Sequence, residues 1–433
     1  MIINFQLENW SCYRAESCLS MQAGPERDEN SILAMFGDVS RPERVLPVVA
    51  IYGNNAAGKT QFVKAISFLR RFALGGYKHG SLPCMPFLLD KKSAQSPTRF
   101  TLQFLADETV FEYKVVLTAS RVIREELHYY TSRGLVRHEL FVRDAERVTV
   151  FDEWGGEAFR VYSKTIKLGP CQSYLALSHD LCRDEKYVRV VHDWFGYQLF
   201  VIRPETHYLG LEDFCATGVM QKMTIEYLNR FDVGIKKFEP KDVAITALPK
   251  RVIEELEVNL KPGKMARVDG DEGFFWVIKD SQGRLSVKKV FAVHDCIGKG
   301  AMPFPIDMES DGTRRMLDLI PAFMHLKSRK FGCIYVIDEL DRSLHSKISR
   351  AFIEDFLKSC TPSNRSQLIF TTHDLMLMDQ DLLRRDSMYL VDKSPDGESS
   401  LGDVRQFRGL RKGTNVRDVY LQGRLGGIAR SLV

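Results

Sequence analysis

The chain opens on a strand-like alternation. In MIINFQLENW, Ile3, Phe5 and Leu7 alternate with Asn4, Gln6 and Glu8, the period of a half-buried strand. Residues 22–44 are rich in Gly, Pro and charge and predict a loop, so the first forty residues read as a strand pair around it. VVAIYG (48–53) is a continuous apolar run ending in glycine, as expected of a central buried strand. From Gly58 to Phe72 the period becomes helical, with Phe62, Ile66, Leu69 and Phe72 on one face. A Pro- and Gly-bearing connection (74–99) follows. Runs at 100–105, 110–117, 126–132 and 139–144 then predict an antiparallel meander.

From Gln172 the pattern predicts helix to about residue 260, with some strand near 197–203 and a short amphipathic helix at 252–260. FFWVIKD-SQG-RLSVKKVFAV (274–293) predicts a hairpin. Beyond it, helix and strand alternate: helix 311–327, strand 332–337, helix 344–359 and strand 366–370. A loop at 393–402 precedes a basic tail. No internal repeat and no sustained heptad is present, which excludes a long coiled coil.

Composition narrows the class without giving a function. The 433 residues carry 44% hydrophobic and 27% charged positions, which excludes a disordered chain, a collagen or a disulfide mini-protein. The longest apolar run, near 45–52, contains Pro47 and falls far short of the roughly 20 residues that span a bilayer. No membrane segment and no secretory signal is expected. Nine cysteines without a repeating spacing read as reduced thiols, so the expected location is the cytoplasm. The net charge of +5 is mild. The tail concentrates it: Arg405, Arg408, Arg411, Lys412, Arg417, Arg424 and Arg430 stand against Asp418 alone. The tail is either a nucleic-acid or partner surface or a solvated face.

The strongest chemical signal is Gly53-Asn54-Asn55-Ala56-Ala57-Gly58-Lys59-Thr60, which fits G-x-x-x-x-G-K-[ST] between an apolar strand and an amphipathic helix. The glycines permit tight turns and close backbone approach, and the loop amides with the helix start suit phosphate oxygens. Lys59 would reach the β- and γ-phosphates of ATP, and the Thr60 hydroxyl would hold Mg²⁺. The competing reading is a plain glycine turn. CIYVIDEL (333–340) is an apolar strand ending in two acids. Asp338 would hold Mg²⁺ and Glu339 would polarise the attacking water; a solvated strand end is the plainer alternative. Ser310, Asp311, Gly312 and Thr313 precede an amphipathic helix, as an anion site or an ordinary N-cap would. His373 closes the strand IFTTHD.

Order and spacing join these pieces: phosphate loop, Ser-Asp-Gly-Thr helix start, Asp-Glu, Leu-Asp-Arg-Ser-Leu-His, then His373. The series resembles the ABC-type ATPase heads of the SMC/RecF/OLD group. The resemblance implies an α/β P-loop head, two-lobed and split in sequence, with an N-terminal β meander and a mostly helical middle insertion. It divides the chain at 1–145, 146–294 and 295–433. It implies that Ser310–Thr313 is the signature motif, Asp341 the D-loop acid and His373 the switch histidine. Two heads would pair head-to-tail around ATP as a homodimer or higher even-numbered oligomer. Gln103 is the candidate for a Gln-loop.

A narrower resemblance rests on NWSCYR (9–14), ESDGTRR, VIDELDRSLH, QLIFTTHD, LLRRDSMYLVDK and YLQGRLGGI, which recur in order. The chain is similar to stand-alone ATPases of bacterial abortive-infection and phage-defence operons, of AbiL-like type. That implies a separate operon-encoded effector, such as a Toprim-like nuclease or a toxin. Only 60 residues follow His373, too few for a roughly 100-residue effector domain. A RecF-like DNA-repair ATPase is the alternative. A transporter subunit is disfavoured by the roughly 250 residues between Lys59 and Ser310. Asp379-Gln380-Asp381 and the set Cys171, His179, Cys182 and His192 have the residue types of metal sites, but without a matching Glu or a C-x-x-C pair they read as structural.

Overall fold

The computed structural model describes residues 1–25, 33–36, 43–77, 80–131, 136–151, 154, 168–182, 185–206, 218–270, 273–328, 332–407 and 413–426. By internal packing the chain forms two units. The first holds Met1–Arg203, Leu326–Asp341 and Ser349–Val433; the second holds Pro204–His325 and Arg342–Ile348.

The first unit contains a six-stranded sheet in the order Leu199–Ile202, Ile334–Ile337, Gln367–Thr371, Val48–Gly53, Met388–Lys393, Ser399–Asp403. The first five strands are parallel and the last is antiparallel. Every residue of Val48–Gly53, Ile334–Ile337 and Gln367–Thr371 is buried. That is why these segments read as continuous apolar runs rather than alternations. In an open parallel sheet the ligand-bearing loops gather beyond the carboxyl ends of the strands. Here the phosphate loop, the Asp-Glu pair and His373 all follow such ends, with the histidine strand lying between the other two.

A seven-stranded antiparallel sheet covers the N-terminal part, in the order Arg147–Val150, Arg137–Asp144, Val122–Tyr130, Thr109–Leu117, Thr98–Ala106, Ile2–Glu8, Ser17–Ser20. This is the meander expected from the pattern, and Ile2–Glu8 buries Ile3, Phe5 and Leu7 as predicted. Helix Lys59–Ala73 buries Phe62, Ile66, Leu69 and Phe72 in the core that both sheets share. Phe5 packs edge-on to Phe62 at 5.5 Å, and Trp10 and Phe100 both lie against Phe68. Fully buried Glu125 accepts from the Tyr113 and Ser173 hydroxyls and from the amides of Tyr174 and Leu175. It thereby fixes the start of helix Tyr174–Leu181 to the sheet.

The second unit departs from the sequence expectation. The middle stretch is not mostly helical: strands Ile235–Val243, Met265–Gly270, Gly273–Lys279, Leu285–Asp295 and Ala301–Pro305 form one antiparallel sheet. Helices occupy Gly218–Asn229 and Lys250–Asn259. Ile235–Val243 hid its nature because only Ile235 and Phe238 are buried, and Pro240 interrupts it. Its strand character comes from pairing with Leu285–Asp295, about 50 residues away, which local periodicity does not reveal. Leu248, Phe275, Val277 and Val287 form a small core of their own. Residues 295–325, including Ser310–Thr313, pack with this unit. Among the described residues no helix is long and apolar enough to cross a membrane.

Candidate nucleotide-binding site

The phosphate loop is built on unusual backbone. Gly53 ends its strand at φ +150°, Gly58 sits at +123° and Ala56 at +60°. Lys59 is the first residue of the helix. That helix start has no side-chain cap and no acid in its first turn, which leaves its amides and dipole to an anion. The Lys59 ammonium donates to the carbonyls of Gly53 at 2.7 Å and Asn54 at 2.9 Å, and lies 3.4 Å from His373 Nδ1. Burial pulls its pKa down to about 8, with the carboxylates of Asp338, Asp341 and Glu339 opposing the fall. The His373 pKa is lowered too, first by burial and then by the Lys59 charge.

This charge balance makes a prediction. Bound phosphates would favour the ammonium form and return the Lys59 pKa from about 8 towards its ordinary 10.5. The free site is then short of a proton between those values, so nucleotide binding near pH 9 is expected to take one up. Affinity should weaken as pH rises through that window. Calorimetry in two buffers of different ionisation enthalpy measures the uptake; equal heats in both would sink the assignment.

The acids are set by one hydroxyl. Asp338 is fully buried, and its amide donates to the Ile202 carbonyl at 2.8 Å. The Thr371 hydroxyl donates to Asp338 Oδ1 at 2.6 Å and accepts from the Glu339 amide at 2.8 Å. Glu339 holds a left-handed φ of +50°, a conformation that a non-glycine residue keeps only when its surroundings enforce it. Thr371 and the Leu340 amide bonded to its carbonyl supply that enforcement. Thr371→Val keeps the shape and removes both hydrogen bonds. It is expected to lower ATP turnover about tenfold with little change in nucleotide binding, and Thr371→Ser should restore most of it. Steady-state kinetics of both variants tests this.

Asn54–Thr60, Glu339 and His373 line one cavity of about 480 Å³, together with Ser11, Cys12, Gln61 and Lys393. Gly53 and Asp341 are not among the lining residues but bond to two that are: the Gly53 carbonyl accepts from Lys59, and Asp341 accepts from the His373 amide at 3.2 Å. Ser310–Thr313 are not among these lining residues; they lie in the second unit, where the Ser310 hydroxyl accepts from the Thr313 amide at 3.1 Å. Gln103 is not brought to the cavity. It accepts from Asn4 and donates to Glu112 in the antiparallel sheet.

Four lining residues carried no role in the sequence reading. NWSCYR was visible as a motif, and its use is structural: Tyr13 donates to the Gly58 carbonyl at 3.2 Å and Trp10 to the Gln61 carbonyl at 2.9 Å. From the other end of the chain, Ser399 Oγ donates to the Ala57 carbonyl at 2.5 Å and Lys393 Nζ to the Ala56 carbonyl at 3.4 Å. In the Asp-x-Asp pair, Asp379 is ion-paired to Arg350 at 2.6 Å and accepts from the Asp381 amide. Among the described residues no group of three or more His, Cys, Asp or Glu is placed to hold a metal ion; Cys171 donates to the Ser120 carbonyl, and the His179 and His192 rings stack. In the basic tail, Arg405 is tied to Asp403 and faces Asp386. Arg408, Arg411, Lys412 and Arg430 lie outside the described residues.

Residues 48–379 match the family model described as "AAA domain, putative AbiEii toxin, Type IV TA system". The chain belongs to this AAA family. The match takes in the phosphate loop, the Asp-Glu strand end and the histidine strand. No curated protein matches the sequence. Among solved structures, this AAA-family chain is similar to one titled "Crystal structure of the SmcHead bound to the C-winged helix domain of ScpA", at 13% identity and a TM-score of 0.39. That alignment covers 93% of this chain and 97% of the other. The SMC head domain from Thermotoga maritima aligns at 12% identity and a TM-score of 0.33, covering 93% and 98%. This AAA-family member carries its phosphate loop, Asp-Glu pair and His373 at the carboxyl ends of neighbouring parallel strands.

Proposed function

We propose that this protein is an ATP-hydrolysing switch that pairs head-to-tail around ATP and controls a separate effector in antiphage defence in the cytoplasm. One observation carries the reading: a single cavity gathers the phosphate loop, Glu339 and His373. Lys59, already buried and held by two carbonyls, would reach the β- and γ-phosphates. Glu339, fixed through Thr371, would orient and polarise the attacking water. His373, kept short of its proton by burial and Lys59, would sense the γ-phosphate, and its amide ties that response to Asp341. The hard oxygens of Thr60 and Asp338 suit Mg²⁺. Held by these two residues, the ion would supply positive charge against the charge that develops on the phosphates.

Ser310–Thr313 of a second head would supply further donors to the γ-phosphate. The family description, with its toxin and toxin–antitoxin terms, supports a defence setting with an operon-encoded nuclease, Toprim-like protein or toxin as effector. Light scattering of the purified protein with and without ATP, plus co-purification of the neighbouring gene product, tests the reading. A monomer under all conditions would overturn the switch. ATP-dependent, salt-sensitive DNA binding by the protein alone would instead favour a RecF-like role.

A further inference from the structure

The cavity that holds the phosphate loop is lined by two lysines, Lys59 and Lys393, and only the first has a role so far. They are differently situated. Lys59 is buried, donates to two carbonyls of its own loop, and has its charge opposed by the carboxylates of Asp338, Asp341 and Glu339. Lys393 is exposed and forms no ion pair among the described residues. Its one hydrogen bond among them goes to the Ala56 carbonyl at 3.4 Å, longer than is ordinary for such a bond. An ammonium carries further donors, and these are left for a ligand.

The backbone beneath Lys393 is fixed without that long bond. Lys393 pairs with Ser399 across the hairpin of Met388–Lys393 and Ser399–Asp403. The Ser394 amide closes the turn onto the Glu398 carbonyl at 2.8 Å. Glu398 is ion-paired to Arg14 at 2.8 Å and accepts from the Ala15 amide at 3.1 Å. Ser399 donates through its amide to the Cys12 carbonyl and through its hydroxyl to the Ala57 carbonyl. The hairpin is thus tied both to the phosphate loop and to the NWSCYR segment, and it delivers an unneutralised cation to the cavity already positioned. We propose that Lys393 is a second phosphate-binding cation, which exchanges the Ala56 carbonyl for the phosphate chain when a nucleoside triphosphate occupies the cavity. The inference rests on the nucleotide reading of this cavity. Its physical basis is charge: a triphosphate brings more negative charge than one ammonium balances, and Glu339 in the same lining adds to it. A hydrogen bond from an ammonium to a charged phosphate oxygen is stronger than one to a neutral carbonyl, so the exchange is favourable. Lys393 meets the chain from the side of Ala56, and Lys59 from the side of Gly53 and Asn54.

The test compares ATP and ADP affinities of the full chain by calorimetry, with melting of the nucleotide-free protein as the check on folding. Lys393→Met keeps the apolar stem and removes the charge. It should weaken ATP binding about tenfold and ADP binding about threefold, and leave the melting temperature nearly unchanged. The salt dependence of ATP binding should become shallower. Lys393→Arg should restore most of the affinity. Lys393→Gln, which can still donate to the Ala56 carbonyl but carries no charge, should behave like Lys393→Met. Full affinity in Lys393→Gln would show that the carbonyl bond matters and the charge does not, and would overturn the proposal. Equal losses for ATP and ADP in Lys393→Met, or no loss at all, would overturn it too, while leaving the cavity a nucleotide site. Failure of the unsubstituted protein to bind either nucleotide would instead remove the reading on which the inference rests.

Discussion

Replacing Glu339 by glutamine is expected to cut ATP turnover by at least about a hundredfold while leaving nucleotide binding near normal, since proton-transfer groups contribute factors of that size. The geometry makes the substitution clean. The Glu339 backbone is positioned through its own amide, bonded to Thr371. Glutamine should therefore keep the left-handed turn and change only the carboxylate. Asp338 remains held through its own link to Thr371. If ATP closes a head-to-tail dimer, a protein that binds but does not cleave should accumulate as that dimer, visible by light scattering with ATP and absent with ADP. Undiminished phosphate release by the variant would remove Glu339 from its role and leave the cavity as a nucleotide-binding site alone. The contrast with Thr371→Val is informative. The threonine acts through Glu339 and Asp338, so its loss should be the smaller one and should be rescued by serine.

What the sequence revealed follows from how far apart the cooperating residues lie. Gly53–Thr60 is contiguous, so strand, turn and helix start declare themselves together. Asp338-Glu339 and His373 each close an apolar strand, and full burial on both faces makes such strands stand out. The cavity wall is different in kind. Cys12 and Ser399 are linked by a backbone hydrogen bond at 2.7 Å between opposite ends of the chain, and neither residue type signals its neighbour. The middle unit was legible only in part, for a related reason. The hairpin of Gly273–Lys279 and Leu285–Asp295 showed in the pattern, but Ile235–Val243 is half exposed and lysine-bearing, so its apolar spacing is too sparse to show a period of two, and only pairing with Leu285–Asp295 settles it.

Gly53→Ala should abolish measurable nucleotide binding, and the reason is steric before it is chemical. A Cβ at this position would lie 2.4 Å from the Val391 carbonyl oxygen, a backbone atom with no rotamer to escape into. The residue's φ of +150° adds strain for any side chain. Val391 is also the sheet partner of Gly53, so relief requires the strand Met388–Lys393 to move away from the loop strand. That motion carries Lys393, which lines the cavity and bonds the Ala56 carbonyl. It also displaces the Gly53 carbonyl that anchors Lys59. One methyl group thus shifts both walls of the phosphate cradle, and overpacking of this kind costs about 1–3 kcal/mol of stability. Gly80→Ala is the control: φ is +89°, yet nothing lies within 4 Å of the added carbon, so it carries the strain without the clash. Titration with a fluorescent ATP analogue, alongside thermal melts of both variants, separates the two effects. Gly80→Ala should bind normally. If Gly53→Ala binds equally well, the close approach of the loop to Val391 is not what shapes the site.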